Sequence, residues 1–568
     1  MFTRPKALAF ISLLVGGLAV ETSSLATGDY ENFDLPKPVS IAPESKLVYS
    51  SPRVQLRGKG VRIKEAGVNH QQFLFAKEAY ISERRDEAIK LLRQEMDSGF
   101  KKNRDNMLLR LGQLYTERYM ELSYRENEVY NQKLVEYEKE RQTNKQAKPP
   151  VLDNKRSHRY LKLALDIFIS LEKEFPKHPK MDEVTFFIGF VKMEFGEREK
   201  GVKYLERLTR QFPHSRKYED ALVYLGDYYF DNQKFKEAQA KFQILAARKD
   251  SSLHYYGLYK IAWCELNLGK DRKALQTMKG VVAGLSGSSE VAKFNLRDQA
   301  LKDLVVFFGE NEAVDESVKY FTEAVGRDKA RENLKLIAEM LLSRAKDKAA
   351  IHAYNILLNE FGETVDAPRL ELALFESQAR IGKTKEAISG LMRAIEKYGP
   401  HSQWASSMPA DKTGQVKEIH EVLVNEGKKT AFFYHHAAQK SLNKTYYDLA
   451  LKVYKALLTH FDDFNERRKV AFYLGEIYFA QQKWLEAASA YSDLAKIAPK
   501  DNLSEDAAYN ALLAYDRLTA RQDSVKRYNK DEQKDISTAE EEIPDAEKRF
   551  LEVAELYIRD YPKSTKVV

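Results

Sequence analysis

The residues that could do chemistry in this chain are few and scattered. Cys264 is the single cysteine, so the chain has no internal disulfide and no zinc knuckle. Its neighbours, Ile261-Ala262-Trp263-Cys264-Glu265, read as an apolar helix. A reactive thiolate needs an electropositive, accessible setting, so a packed thiol is expected. His435-His436 is the one adjacent histidine pair. Adjacent residues on a helix diverge by about 100°, so one packed and one exposed imidazole is expected rather than a shared metal. Glu540-Glu541-Glu542 with Asp545 offers carboxylate oxygens. A calcium loop orders its ligands around a turn glycine, so a solvated acidic loop is expected here. The chain has no G-x-x-x-x-G-K-[ST] phosphate loop, no G-x-S-x-G elbow and no H-E-x-x-H helix, and no carboxylate pair can be placed across a cleft. The residues therefore predict no enzyme, no cofactor and no metal.

Composition bounds what positions these residues. With 568 residues the chain exceeds one compact core and calls for several domains or a repeat array. It is 31% charged and 43% hydrophobic, which excludes a polytopic membrane protein and a largely disordered chain. Gly 26 and Pro 16 are few for this length, which favours helices over many short strands. There are 92 Lys+Arg against 84 Asp+Glu. No basic block stands out along the chain, so a nucleic-acid partner is not expected.

Residues 1–26 have the layout of a secretory signal. Arg4 and Lys6 precede the uncharged apolar run Ala7–Val20, and Ser24-Leu25-Ala26 supplies small residues for cleavage after Ala26. The run is shorter than the ~20 residues that span a bilayer, although an uncleaved inner-membrane anchor is the alternative. Export with a single cysteine favours a bacterial periplasm. Residues 27–66 contain Pro36, Pro38, Pro43 and Pro52 and read as an extended leader, either a tether or a segment draped on the first helices.

The remainder repeats one pattern. Leu222, Leu225, Gly226 and Tyr229 are followed by Ala238, Phe242 and Leu245; Leu474, Gly475 and Tyr478 are followed by Ala487, Tyr491 and Leu494. Each set gives two amphipathic helices at i, i+3, i+7. A small residue on each helix, twelve places apart, lets the two cross closely, and a large aromatic four places after the second small residue fills the space beside them. The same spacing recurs at Ala76/Ala88, Gly189/Gly201, Ala262/Ala274, Ala338/Ala350 and Ala438/Ala450, with weaker versions at Val305/Ser317 and Phe375/Ala387. Two further repeats are read as split by insertions, giving about ten.

These residues resemble the tetratricopeptide repeat family over about residues 69–562. Phe212-Pro213-His214-Ser215 and Tyr561-Pro562-Lys563-Ser564 are similar to the repeat ends of bacterial envelope members in outer-membrane assembly, Tol coordination, and motility or secretion complexes. The resemblance implies an all-α, right-handed α-solenoid of stacked helix-turn-helix repeats. It also implies that first helices line a groove. Carried over by register, the groove positions of three repeats include Phe186, Phe190, Met193, Val223, Phe230, Tyr256, Tyr259 and Trp263. Two readings of this aromatic stripe stand open: a peptide-binding groove, or side chains buried among themselves by tight superhelical curvature.

The organisation expected is an N-terminal array at 67–397, with a long helical insert at 116–155, an irregular linker at 398–415, and a C-terminal array at 416–568, with a charged loop at 520–545. The linker is read as a surface loop in preference to a hinge. The last helix, about 546–561, carries apolar residues on several faces, which suits docking on a partner or a second copy. The functional expectation is a non-enzymatic periplasmic scaffold or adaptor for protein partners of an envelope complex, without a membrane span after signal cleavage. The alternative is an accessory protein that presents or regulates cell-wall or polysaccharide enzymes. A small-molecule module fits a long open groove less well.

Overall fold

A computed structural model describes residues 83–98, 103–144, 147–287, 291–361, 364–497, 501–530 and 545–566. The signal and leader at 1–66, Ala76, and the Glu540–Glu542 run lie outside the described residues. The described residues hold twenty-two α-helices and no strand. They divide into two compact units. The N-terminal unit takes the described residues up to Ala394 with Met408–Lys412, and the C-terminal unit takes Ile395–Ser407 and the residues from Thr413 on.

The N-terminal unit contains α1 Glu83–Asp97, α2 Arg104–Thr143, α3 Lys155–Glu174, α4 Met181–Glu194, α5 Arg198–Gln211, α6 Tyr218–Asp231, α7 Phe235–Ala246, α8 His254–Asn267, α9 Asp271–Gly284, α10 Val291–Glu310, α11 Val314–Val325, α12 Arg327–Ser343, α13 Asp347–Glu360 and α14 Ala367–Arg380, and α15 Thr384–Lys397 closes it. The C-terminal unit contains α16 Gln403–Ser407, α17 Thr413–Ser441, α18 Lys444–His460, α19 Arg467–Ala480, α20 Trp484–Lys496, α21 Asn502–Lys530 and α22 Asp545–Asp560. From α1 to α14, and again from α17 to α22, each helix packs on the next in sequence. First helices also touch first helices of neighbouring repeats (α8 with α10, α10 with α12, α19 with α21), and α11 touches α13. Each unit is thus an all-α helical-repeat solenoid.

The small-large register governs the crossings. A Cβ on Gly226 would lie 2.5 Å from the Phe242 ring, one on Gly475 2.6 Å from Tyr491, and one on Gly112 2.6 Å from Phe168. The first two pairs are sixteen residues apart and the third fifty-six. The split repeat is therefore the same hairpin with forty residues inserted at its turn. At Gly189/Gly201 backbone meets backbone: a Cβ on Gly201 would lie 2.6 Å from the Gly189 carbonyl oxygen.

The turn inside each repeat has a register of its own. Five places before the second small residue the backbone is left-handed: Gly196, Gln233, Gly269, Glu312, Ala345, Gly382 and Gln482, with φ between 52° and 82°. In six of these turns the next N–H closes back on the carbonyl five residues earlier, for example Lys234 to Tyr229 at 2.8 Å and Lys483 to Tyr478 at 2.9 Å. This is the six-to-one bond of a helix C-cap that glycine ordinarily provides. Glutamine, glutamate and alanine hold it here against the steric cost of that region.

Two expectations are corrected. Residues 398–407 are not a surface loop: Tyr398 and Trp404 are buried, their rings stand 5.3 Å apart, and Trp404 meets His420 at 6.5 Å. A Cβ on Gly399 would lie 2.9 Å from the Ile395 carbonyl oxygen. The segment is anchored to the C-terminal unit because it carries two large aromatic side chains with a place to bury them. The expected loop at 520–545 begins as helix, since α21 continues to Lys530.

Candidate interaction surface

The eight stripe residues lie inside the N-terminal unit, Phe186, Phe190 and Met193 in one part of its core and the other five in the next. Phe186, Phe190, Val223, Phe230, Tyr256, Tyr259 and Trp263 are buried, and Met193 is half-buried. Phe186 and Phe190 stack at 6.3 Å and both meet the edge of Tyr224 on the following first helix. Phe230 meets Phe235 at 5.3 Å, and Trp263 meets Phe307 on α10 at 5.0 Å. Helices α4 and α8 have no exposed residue, and α6 has only its last, Asp231. The groove reading is corrected: neighbouring first helices fill one another's faces, so these rings are core. The cause is local as well as topological. The run Val184–Val191 in α4 contains no charge, and a helix apolar on all sides is buried on all sides.

The polar groups that border the stripe are matched internally. Asp227 lies 2.8 Å from the Lys260 ammonium and accepts from the Tyr256 hydroxyl at 3.3 Å. Lys260 in turn sits over the Phe230 ring at 5.0 Å. Asp303 accepts from Tyr259 at 2.6 Å, Gln299 at 2.8 Å and the Trp263 indole at 3.3 Å. Tyr119 donates to Glu194 at 2.5 Å. Burial holds the Tyr224 hydroxyl well above the usual tyrosine range, and Glu194 and Asp220 add to it. These bonds use the polar atoms that a ligand would need, so the layer is built for rigidity.

The residues with potential chemistry are accounted for in the same way. Cys264 is fully buried in α8. His435 is buried among Tyr447, Tyr454 and Tyr473, and His436 is exposed. Burial pushes His435 down to about 4, with the neighbouring His436 adding to the effect.

What does face solvent is the insertion. Ser157, in the first turn of α3, donates its N–H to Glu126 at 3.1 Å, and Arg104 pairs with Glu174 at the other end of the hairpin. The part of α2 that pairs with α3 therefore ends near Glu126, and residues 116–126 belong to the repeat. The projecting part of the expected 116–155 insert starts at Asn127. From Asn127 to Thr143 the helix runs on for about 25 Å, at ~1.5 Å per residue. Val129 and Val135 are exposed on it, and Tyr130, Leu134 and Tyr137 are half-buried along one face. The chain returns through Lys148-Pro149-Pro150-Val151, where Val151 is 87% exposed. Across its base, Arg85 of α1 bridges Glu117 at 3.1 Å and Glu121 at 2.9 Å. On the last helix of the C-terminal unit, Val553 and Tyr557 are buried while Leu551 and Ile558, seven places apart, are exposed.

The tetratricopeptide repeat family model matches residues 223–289 and 443–502. The C-terminal part of a TPR repeat-containing protein from Cytophaga hutchinsonii is 15% identical over 50% of this chain and 97% of that one, with a TM-score of 0.22. The structure of Naa15/Naa10 bound to HypK-THB is 13% identical over 77% of this chain and 67% of that one, with a TM-score of 0.26. No curated protein matches the chain. The two matched stretches cover α6 to α9 and α18 to α20, where the Gly226/Phe242 and Gly475/Tyr491 crossings stand, so it is at these helix pairs that the chain is similar to tetratricopeptide repeats.

Proposed function

We propose that this protein is a non-enzymatic scaffold that holds protein partners of a bacterial envelope complex, and that it meets them through the α2 arm. The observation that carries the reading is the arm itself. About 25 Å of helix, by ~1.5 Å per residue, stands beyond its repeat with Val129 and Val135 exposed. Apolar side chains along a helix that stands beyond its repeat, the exposed Val129 and Val135 with the half-buried Tyr130, Leu134 and Tyr137, offer a surface for a partner. The signal-like pattern of residues 1–26 supports reading the scaffold as periplasmic, with outer-membrane assembly, secretion and motility as candidate pathways. Presentation of cell-wall enzymes is the second reading, and the identity of the arm's partner decides between them.

The test is photo-crosslinking in living cells. A photoreactive residue at Val129 or Val135 is expected to capture one protein, identified by mass spectrometry, and one at the buried Tyr259 none. Capture at Tyr259 with silence along the arm would overturn the proposal.

A further inference from the structure

Charge in the N-terminal unit is sorted by helix layer. The first helices α4, α6 and α8 hold two Lys/Arg and eight Asp/Glu, whereas the second helices α3, α5, α7 and α9 hold fifteen Lys/Arg and seven Asp/Glu. The first-helix layer is covered, and the second helices keep a face in water. The balance of both signs along the chain thus becomes a cationic outer layer.

This layer is most concentrated at the start of α3. Lys155, Arg156, Arg159 and Lys162 are exposed on one side of the helix, opposite the buried Leu161, Ala164, Phe168 and Leu171. None of the four is in an ion pair among the described residues; some outer cations are paired, as Arg207 with Glu172 and Arg272 with Glu316, so what sets the start of α3 apart is four exposed cations within eight residues. Over residues 147–170 there are five cations, counting the exposed Lys148, and two carboxylates, Asp153 and Asp166. No acidic residue stands in the first turn of α3. The helix dipole favours acids there, so the cations are held against local stability.

Apolar side chains stand among these charges. Val151 is the most exposed large hydrophobic residue of those described, four positions before Lys155. Ile169, seven places after Lys162 and so on the same side, is also exposed. A nucleic acid or an acidic peptide would satisfy the cations and leave Val151 in water. An anionic bilayer satisfies both, with phosphates at the cations and an apolar phase for valine.

We infer that the α3 face of the outer layer, with the Lys148–Val151 segment, docks on an anionic lipid surface. The full-length protein without residues 1–26 is co-sedimented with vesicles of phosphatidylcholine alone or with about one-third phosphatidylglycerol, at ~0.1 M salt. Binding to the anionic vesicles alone is expected, and it should fall steeply with added salt. Each cation contributes about fivefold, so the combined Lys155→Gln, Arg156→Gln, Arg159→Gln and Lys162→Gln variant should bind at least a hundredfold less. Val151→Ser should lose about tenfold by forgoing burial. Neutralising the exposed Lys440, Lys444, Lys496 and Lys563 of the C-terminal unit should change binding little. Circular dichroism and an unchanged melt verify that the variants fold. The inference is overturned by equal sedimentation with both vesicle types, by binding that survives the four neutralisations, or by a DNA duplex that binds more tightly than the vesicles and is indifferent to Val151→Ser.

Discussion

Gly226→Ala tests whether the small-large register is a steric requirement or a family habit. The added methyl would lie 2.5 Å from two carbons of the Phe242 ring, whereas carbon atoms rest at ~3.5–4.0 Å. One of the two must move by about 1 Å on that count. Phe242 is fully buried, with Tyr256 against its edge at a centroid separation of 6.4 Å and Lys260 over its face, so the ring has no free direction. Overpacking of this kind costs about 1–3 kcal/mol, here toward the upper end. Alanine returns up to ~1 kcal/mol of helix propensity. The net expectation is a loss of ~1–2 kcal/mol by this difference. It is read as a lower urea midpoint and as faster hydrogen exchange in α6 and α7, because an array need not unfold in one step. The decisive arm is the double variant. Phe242→Leu alone leaves a void and costs about 1–3 kcal/mol. With the ring gone, Gly226→Ala should become stabilising. An alanine that is neutral or stabilising beside the intact Phe242, or equally costly beside leucine, would refute the steric argument.

Three further outcomes follow from the structure. Gln233→Gly and Gln482→Gly relieve a left-handed backbone at φ 61° and 58°. Each should stabilise by about 0.5–1 kcal/mol in urea melts after the added flexibility of the unfolded glycine is subtracted. His435 is buried and pushed down to about 4 from an ordinary 6.5, so the unfolded chain takes its proton first. The stability this neutral imidazole supplies is complete above pH ~6.5 and falls between there and ~4, by about 3 kcal/mol in all. Urea midpoints at the two ends should show the loss for the native chain and not for His435→Gln. Replacing 128–152 with a short Gly/Ser linker should leave the midpoint nearly unchanged, because closing a loop of different length costs well under ~1 kcal/mol, while removing any arm-borne crosslink.

The repeat was legible because its determinants are local. Small and large residues at fixed offsets mark two helices and their crossing, and even the hairpin split by forty residues keeps Gly112 against Phe168. Exposure was not local. Whether Tyr259 and Trp263 face water depends on Asp303 and Phe307 respectively, forty-odd residues away in α10. A register carried over from a family fixes a direction on a helix, not what stands opposite it. The uncharged run Val184–Val191 was the available sign that no side of α4 is solvated. The turn register was hidden because Gln233, Glu312, Ala345 and Gln482 occupy left-handed positions where a sequence reading looks for glycine. The sorting of charge between layers was equally invisible until residues were grouped by helix, since along the chain the two signs alternate.

The burial of the aromatic stripe also changes how a binding defect can be interpreted. Trp263→Glu is the obvious substitution for a groove. Yet Trp263 is fully buried, and its indole N–H donates to Asp303 at 3.3 Å. A glutamate there would set a second buried carboxylate beside Asp303 and remove one of its donors. An uncompensated buried charge costs about 3–5 kcal/mol, a large part of a domain's stability. Loss of a partner from that variant would follow from unfolding whether or not the stripe touches anything. Val129→Asp and Val135→Asp change side chains already in water, where substitutions usually stay within about ±0.5 kcal/mol. A partner lost from these at an unchanged melting midpoint would therefore reflect recognition. A partner retained would remove the arm from the interface and return attention to the exposed Leu551 and Ile558 on α22.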